Sequence, residues 1–165
     1  MIVTPLLFLL FSCSFENKDS EVECGDNQDA LILNHNGLNR EYILYLPQDY
    51  DSSEALPIVF NLHGYGDYAM DHLANADMRS LANQEGFILV YPQGSCLDGN
   101  PHWNSFLSKS DNKSDVEDID FFSSLIDEIN SNYNIDLDRV YVCGYSNGGM
   151  MSYALACALR DRKST

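Results

Sequence analysis

The feature that most constrains this chain is a turn, Gly144-Tyr145-Ser146-Asn147-Gly148-Gly149. It is set between a short apolar run, Val140 to Cys143, and a mainly apolar stretch, Met150 to Leu159. The pattern G-x-S-x-G recurs by chance, but a strand before it and a helix after it specify a sharp strand-to-helix elbow. Such an elbow holds its serine clear of the sheet on strained backbone. Glycine at 144 and 148 lets the two backbones approach closely. The same turn presents the Asn147 N–H near a helix N-terminus, where developing negative charge is favoured. Ser146 is the candidate nucleophile, and the N–H of Asn147 a candidate oxyanion donor.

The rest of the chain supplies the sheet that such an elbow needs. Leu31 to Leu33, Asn36-Gly37 and Arg40 to Leu46 read as a hairpin, because Asn-Gly accepts the positive φ values of a type I′ turn. Pro57 to Leu62 and Phe87 to Tyr91, like Val140 to Cys143, are nearly continuous apolar runs, as expected of parallel strands covered on both faces. Asp115 to Tyr133 carries Phe122, Leu125, Ile126 and Ile129 at helical spacing, with Ser114 and Glu117 placed for a capping box. Alternating strands and helices imply an α/β, doubly wound, mostly parallel sheet. At the end of the Pro57 to Leu62 strand stands His63-Gly64-Tyr65, where such a fold supplies a second oxyanion donor, here the N–H of Tyr65. His63 precedes that turn and is expected to hydrogen-bond locally in a structural role.

Composition narrows the function classes. With 165 residues and 45% hydrophobic side chains, one packed domain is the expectation. A formal charge of -16 repels phosphate backbones, so nucleic acid is not an expected partner. Residues 1–13 read as a signal peptide, because the apolar run from Ile2 to Phe11 is too short to span a bilayer. Leu10-Phe11-Ser12-Cys13 ends it in a lipobox-like way, which makes Cys13 a candidate lipidation site; plain secretion is the alternative. Residues 14–29 form a polar tether and 30–165 the catalytic region. Both readings place the protein outside the cytoplasm, secreted or lipid-anchored at a bacterial envelope.

The cysteines show no C-x-x-C pair and no histidine at zinc-ligand spacing, so no metal is assigned. Cys143 and Cys157 are expected to pack, whereas Cys24 and Cys96 lie in loop-like sequence suited to bridging after export. Asp111 to Asp120 lacks the spacing of a calcium loop and reads as a solvated helix start. His35, His72 and His102 are expected to be exposed. Trp103, the one tryptophan, has two readings: lining an acyl pocket as a substrate-binding residue, or packing.

An ordered set of motifs then carries a resemblance. It runs Arg40-Glu41-Tyr42 to Leu46-Pro47, Leu62-His63-Gly64, Glu85-Gly86-Phe87 to Gln93-Gly94, Trp103-Asn104, Val116-Glu117-Asp118, Asp138 to Val142 and Gly144 to Met151. Over about residues 38 to 160 the chain resembles polyhydroxybutyrate depolymerase-like esterases of the α/β-hydrolase type, a family that includes feruloyl and acetylxylan esterases. The resemblance implies hydrolysis of small-molecule or polymeric carboxylic esters through an acyl-serine, without metal or organic cofactor. Glu117-Asp118 stands where the family often has two aspartates, at a structural helix start. In this fold the triad runs Ser, then Asp or Glu, then His. The 19 residues after Ser146 hold Asp161 and no histidine, so the chain is expected to be the front part of such a domain, ending after the nucleophile helix and inactive by itself. A non-catalytic hydrolase-like binding protein and a serine peptidase are the readings from other classes.

Overall fold

The computed structural model describes residues 24–25, 27, 29–105 and 114–159. The signal peptide, Cys13, most of the tether and Asp161 lie outside the described residues. Eleven elements follow one another among them: β1 (Leu31–His35), β2 (Leu38–Tyr45), β3 (Leu56–Leu62), α1 (Ala69–Asn75), α2 (Arg79–Glu85), β4 (Ile88–Pro92), β5 (Ser95–Leu97), β6 (Asn100–His102), α3 (Asp118–Asn132), β7 (Ile135–Gly144) and α4 (Asn147–Ala158).

Five of the strands form one sheet in the order β1-β2-β4-β3-β7. The β1–β2 and β2–β4 pairs are antiparallel, and β4–β3 and β3–β7 parallel. The β1–β2 hairpin closes through Asn36 (φ 52°) and Gly37 (φ 83°), the two positive values a type I′ turn requires. Period-2 alternation along β4 divides the core. Ile88 and Val90 face one layer with Ile58, Phe60, Leu125, Ile129, Met151 and Leu155, where α3 and α4 pack. Leu89 and Tyr91 face the other with Ala69, Leu73 and Ala82 of α1 and α2. Helices on both faces of a mostly parallel sheet give the doubly wound arrangement.

Several expectations are corrected. Strand β7 is ten residues long and starts at Ile135, and its pairing with β3 shifts register between Leu56 and Ile58. It pairs with β3 alone among the described residues, so Tyr141 and Cys143 are exposed rather than covered on both faces. Cys157 on α4 is exposed too, so neither cysteine fills the core. Helix α3 starts at Asp118 with Glu117 as its N-cap and no side-chain cap. Ser114 lies 2.7 Å from His102 Nε2 through its hydroxyl instead of capping. Within the supposedly solvated acidic stretch, Asp118 is buried. His35, His72 and His102 are also buried, because each ring satisfies polar groups at an element end. His72 Nε2 donates to Asn61 Oδ1 (2.9 Å), His102 Nδ1 donates to the Ser95 carbonyl (2.9 Å), and His35 Nε2 lies 3.2 Å from Asn36 Nδ2.

One small hairpin was not anticipated. β5 and β6 pair antiparallel around Asp98 (φ 50°) and Gly99 (φ 78°), and Cys96 on β5 is disulfide-bonded to Cys24. The bridge anchors the chain just before β1 onto the loop region that leads to Trp103.

Candidate active site

The site grows out of the carboxyl ends of the two central parallel strands. In the β3–β7 register Leu62 stands opposite Gly144, so the turns that follow the strands emerge side by side. Tyr145 N–H donates to the Leu62 carbonyl (3.1 Å), and Gly148 N–H reaches back to the Tyr145 carbonyl (2.9 Å). Between them Ser146 is held at φ 51°, ψ −115°, a backbone conformation that a residue with a Cβ adopts only when its surroundings enforce it. Close packing does the enforcing. A Cβ on Gly148 would lie 2.4 Å from the Leu62 carbonyl oxygen and 2.5 Å from that of His63, and one on Gly144 would lie 2.7 Å from the Gly148 carbonyl carbon. These are the two glycines that the sequence pattern singles out. The hydroxymethyl group of Ser146 is left exposed at the head of α4.

The His63-Gly64-Tyr65 turn borders this serine. A Cβ on Gly64 would sit 3.7 Å from Ser146 Cβ and 3.2 Å from the ring of Tyr145. Beyond it, Gly66 N–H donates to the Pro101 carbonyl (2.8 Å) and Asp67 N–H to the Gly64 carbonyl (3.3 Å). The Tyr65 side chain is half exposed. Asn147, as the first residue of α4, has a backbone N–H with no acceptor within the helix.

His63 is fully buried and fixes the turn from beneath. Its Nδ1 donates to the Gly64 carbonyl (2.7 Å), while Nε2 accepts the Gly94 N–H (2.8 Å) and faces Gln93 Nε2 (3.2 Å). Burial penalises the imidazolium and pushes the pKa of His63 down to about 4, so the ring is neutral near pH 7. The local, structural role expected for it agrees with these partners.

Trp103 is 2% exposed, and its indole packs on His63 and Phe122 with ring centroids 4.9 and 5.5 Å apart. Of its two expected roles the geometry matches packing: the ring lies within the core beneath the turn. Its polar atoms reach both sides of the site. The Trp103 N–H donates to Asn147 Oδ1 (2.7 Å), Asn147 Nδ2 donates to the Trp103 carbonyl (3.0 Å), and Nε1 donates to the His63 carbonyl (3.0 Å). The carboxamide of Asn147 is thus a site feature that sequence reasoning missed, since it considered only that residue's backbone.

A buried ion pair secures the next layer out. Arg40 on β2 donates to Asp118 Oδ1 (2.7 Å) and to the Gln93 carbonyl (3.3 Å), with its guanidinium 3.9 Å from the Phe121 ring centroid. Asp118 Oδ2 accepts the Asn104 N–H (2.7 Å), and Asn104 Nδ2 donates to the carbonyls of Ser114 and Val116. Strand β2, the loop after Trp103 and the start of α3 are locked together. Among the described residues none of the four imidazoles hydrogen-bonds Ser146, each being committed to the partners named above. No group of three or more His, Cys, Asp or Glu side chains is arranged to hold a metal among the described residues.

Comparison with known proteins agrees with this architecture. The chain is 32% identical over 117 residues to a bifunctional acetylxylan esterase/xylanase of Neocallimastix patriciarum, covering 71% of this chain and 16% of that protein. It is 30% identical over 142 residues to a probable feruloyl esterase C of Aspergillus niger, covering 82% of this chain and 47% of that one. Among solved structures, an acetyl xylan esterase from Aspergillus awamori superposes with a TM-score of 0.62 at 21% identity, over 79% of this chain and 47% of that chain. This likeness establishes the α/β-hydrolase fold. The chain spans about half the length, or less, of the curated relatives it matches. Residues 40–162 match the family described as Esterase PHB depolymerase, and this chain belongs to that family.

Proposed function

We propose that the protein is a carboxylic ester hydrolase in which Ser146 forms an acyl-enzyme. The observation that carries this reading is the positive φ of Ser146 on an elbow beside the Gly64 turn, where a Cβ placed on Gly64 would lie 3.7 Å from Ser146 Cβ. Ser146 Oγ attacks the ester carbonyl carbon, and its proton passes to a histidine that follows it in the chain order of this fold. The N–H groups of Tyr65 and Asn147 hold the tetrahedral oxyanion, each such donor contributing about a hundred- to a thousandfold in rate. Collapse of the tetrahedral intermediate releases the alcohol, which takes the proton from that histidine. Water then adds to the acyl-serine, and as the bond between Ser146 Oγ and the acyl carbon breaks the carboxylic acid leaves and the hydroxyl regains its proton from the histidine.

The names of the relatives, acetylxylan and feruloyl esterases, support a short-chain or aromatic acyl group, and a hydroxyacyl polyester is the other substrate class. Export to an oxidising compartment is supported by the Cys24–Cys96 bridge, with residues 1–13 as the signal and Cys13 as its lipidation site. The test is covalent labelling of the whole protein with a fluorophosphonate. Ser146 should carry the label, Ser146→Ala should carry none, and EDTA should change neither result; a label of equal yield in Ser146→Ala would overturn the assignment.

A further inference from the structure

Trp103 touches both halves of the site from below. Its backbone is gripped at two points by the carboxamide of Asn147, the residue whose own N–H heads α4, with bonds of 2.7 and 3.0 Å. Its indole N–H, at the far end of the side chain, holds the His63 carbonyl at 3.0 Å, in the peptide just before the one that carries the Tyr65 N–H. Between these ends the ring is rigid and 2% exposed, pinned between His63 and Phe122. The carbonyl it holds is also the one that presses against Gly148, so the His63 peptide is confined from two directions.

We propose that Trp103 is a positioning residue, a strut that fixes the spacing between the two oxyanion donors, with the Asn147 carboxamide as its socket on the elbow. The inference rests on the assignment of Tyr65 and Asn147 as those donors. An oxyanion hole works only where both donors meet the position that the charged oxygen comes to occupy, and a displacement of about 1 Å there costs about a hundredfold. A planar bicycle hydrogen-bonded through Nε1, on a backbone held by the Asn147 carboxamide, holds such a spacing better than the hydrophobic contact of a phenyl ring. Removing the strut therefore weakens transition-state binding and leaves ground-state binding of the ester nearly unchanged.

The experiment uses the whole protein, three single variants, Trp103→Phe, Asn147→Ala and Ser146→Ala, and the double variant Trp103→Phe with Asn147→Ala, each checked for a cooperative thermal transition. Hydrolysis of p-nitrophenyl acetate and inhibition by an arylboronic acid, whose tetrahedral adduct on serine carries an oxyanion-like oxygen, are measured in parallel. Trp103→Phe and Asn147→Ala should each lower kcat about 10- to 100-fold with KM within about twofold, and weaken boronate inhibition by a matching factor. The double variant should lose less than the product of the single losses, because both act through one strut. If Ser146→Ala is inactive while folded Trp103→Phe or Asn147→Ala keeps the wild-type kcat and boronate affinity, the strut is overturned and the serine reading stands. A rise in KM with unchanged boronate affinity overturns it too. Should Trp103→Phe not fold, Asn147→Ala decides alone. Wild-type activity in Ser146→Ala would instead overturn the serine reading beneath the inference.

Discussion

The guanidinium of Arg40 and the carboxylate of Asp118 meet at 2.7 Å with 3% and 0% of their side chains exposed, joining the second strand of the sheet to the first turn of α3. Removing one partner of such a pair strands the other charge in the core, at a cost of about 3–5 kcal/mol. Asp118→Ala should lower stability by that amount in urea unfolding. The double replacement Arg40→Met with Asp118→Leu should lose less than Asp118→Ala alone, since no uncompensated charge remains. Equal stability of Asp118→Ala and the wild type would show that the pair contributes nothing to holding α3.

Acid should weaken the fold through His63. Its imidazole takes up a proton near pH 6.5 when unfolded and near 4 when folded, so between those values the unfolded state binds more protons. The stabilisation is complete above pH 6.5 and declines as the pH drops through 4, by about 3 kcal/mol in all. Unfolding free energies of the wild type and His63→Asn, taken from urea titrations between pH 7 and pH 4, should converge by this amount. Parallel curves would mean that His63 titrates normally in the folded protein.

Gly148 leaves no room for a side chain. Its hypothetical Cβ would lie within 2.4–2.5 Å of two backbone carbonyl oxygens, those of Leu62 and His63, and neither strand end can retreat without dragging the elbow. Overpacking in a tight core costs typically about 1–3 kcal/mol, and a clash with backbone belongs at or above the upper end. Gly148→Ala should lower the urea midpoint accordingly and displace Ser146 from its positive φ. A Gly148→Ala protein of unchanged stability would show that the elbow is looser than its packing implies.

What was legible in the sequence was whatever local chemistry dictates. Asn36-Gly37 named its own turn, the apolar runs at 57–62 and 87–91 named buried strands, and the glycines at 144 and 148 marked the strand-to-helix contact that their missing Cβ atoms allow. The Asp98-Gly99 pair carries the same hairpin signal, but its strands are three residues long and too short to show an alternation in sequence.

The misses share a cause in tertiary contact. His35, His72 and His102 are buried by partners from elsewhere in the chain: Phe121 for the first, Asn61 and Tyr91 for the second, and Ser95 and Ser114 for the third. Asp118 looked like one of a run of solvated acids until Arg40, 78 residues away, supplied its partner. The capping box failed for a related reason, since Ser114 is engaged by His102 from the small hairpin. Trp103 offered two roles, and only the positions of Asn147 and His63, 44 and 40 residues away, decide between them.

The central claim is that Ser146 is the nucleophile of an ester hydrolase. Its most direct measurement is the steady-state rate of p-nitrophenyl acetate hydrolysis by the whole protein and by Ser146→Ala under identical conditions. Loss of a triad nucleophile removes about a millionfold in kcat where it has been isolated, so the variant should fall to the buffer background while keeping the wild-type thermal midpoint to within a few degrees. A folded Ser146→Ala protein that hydrolyses the ester at the wild-type rate would contradict the account.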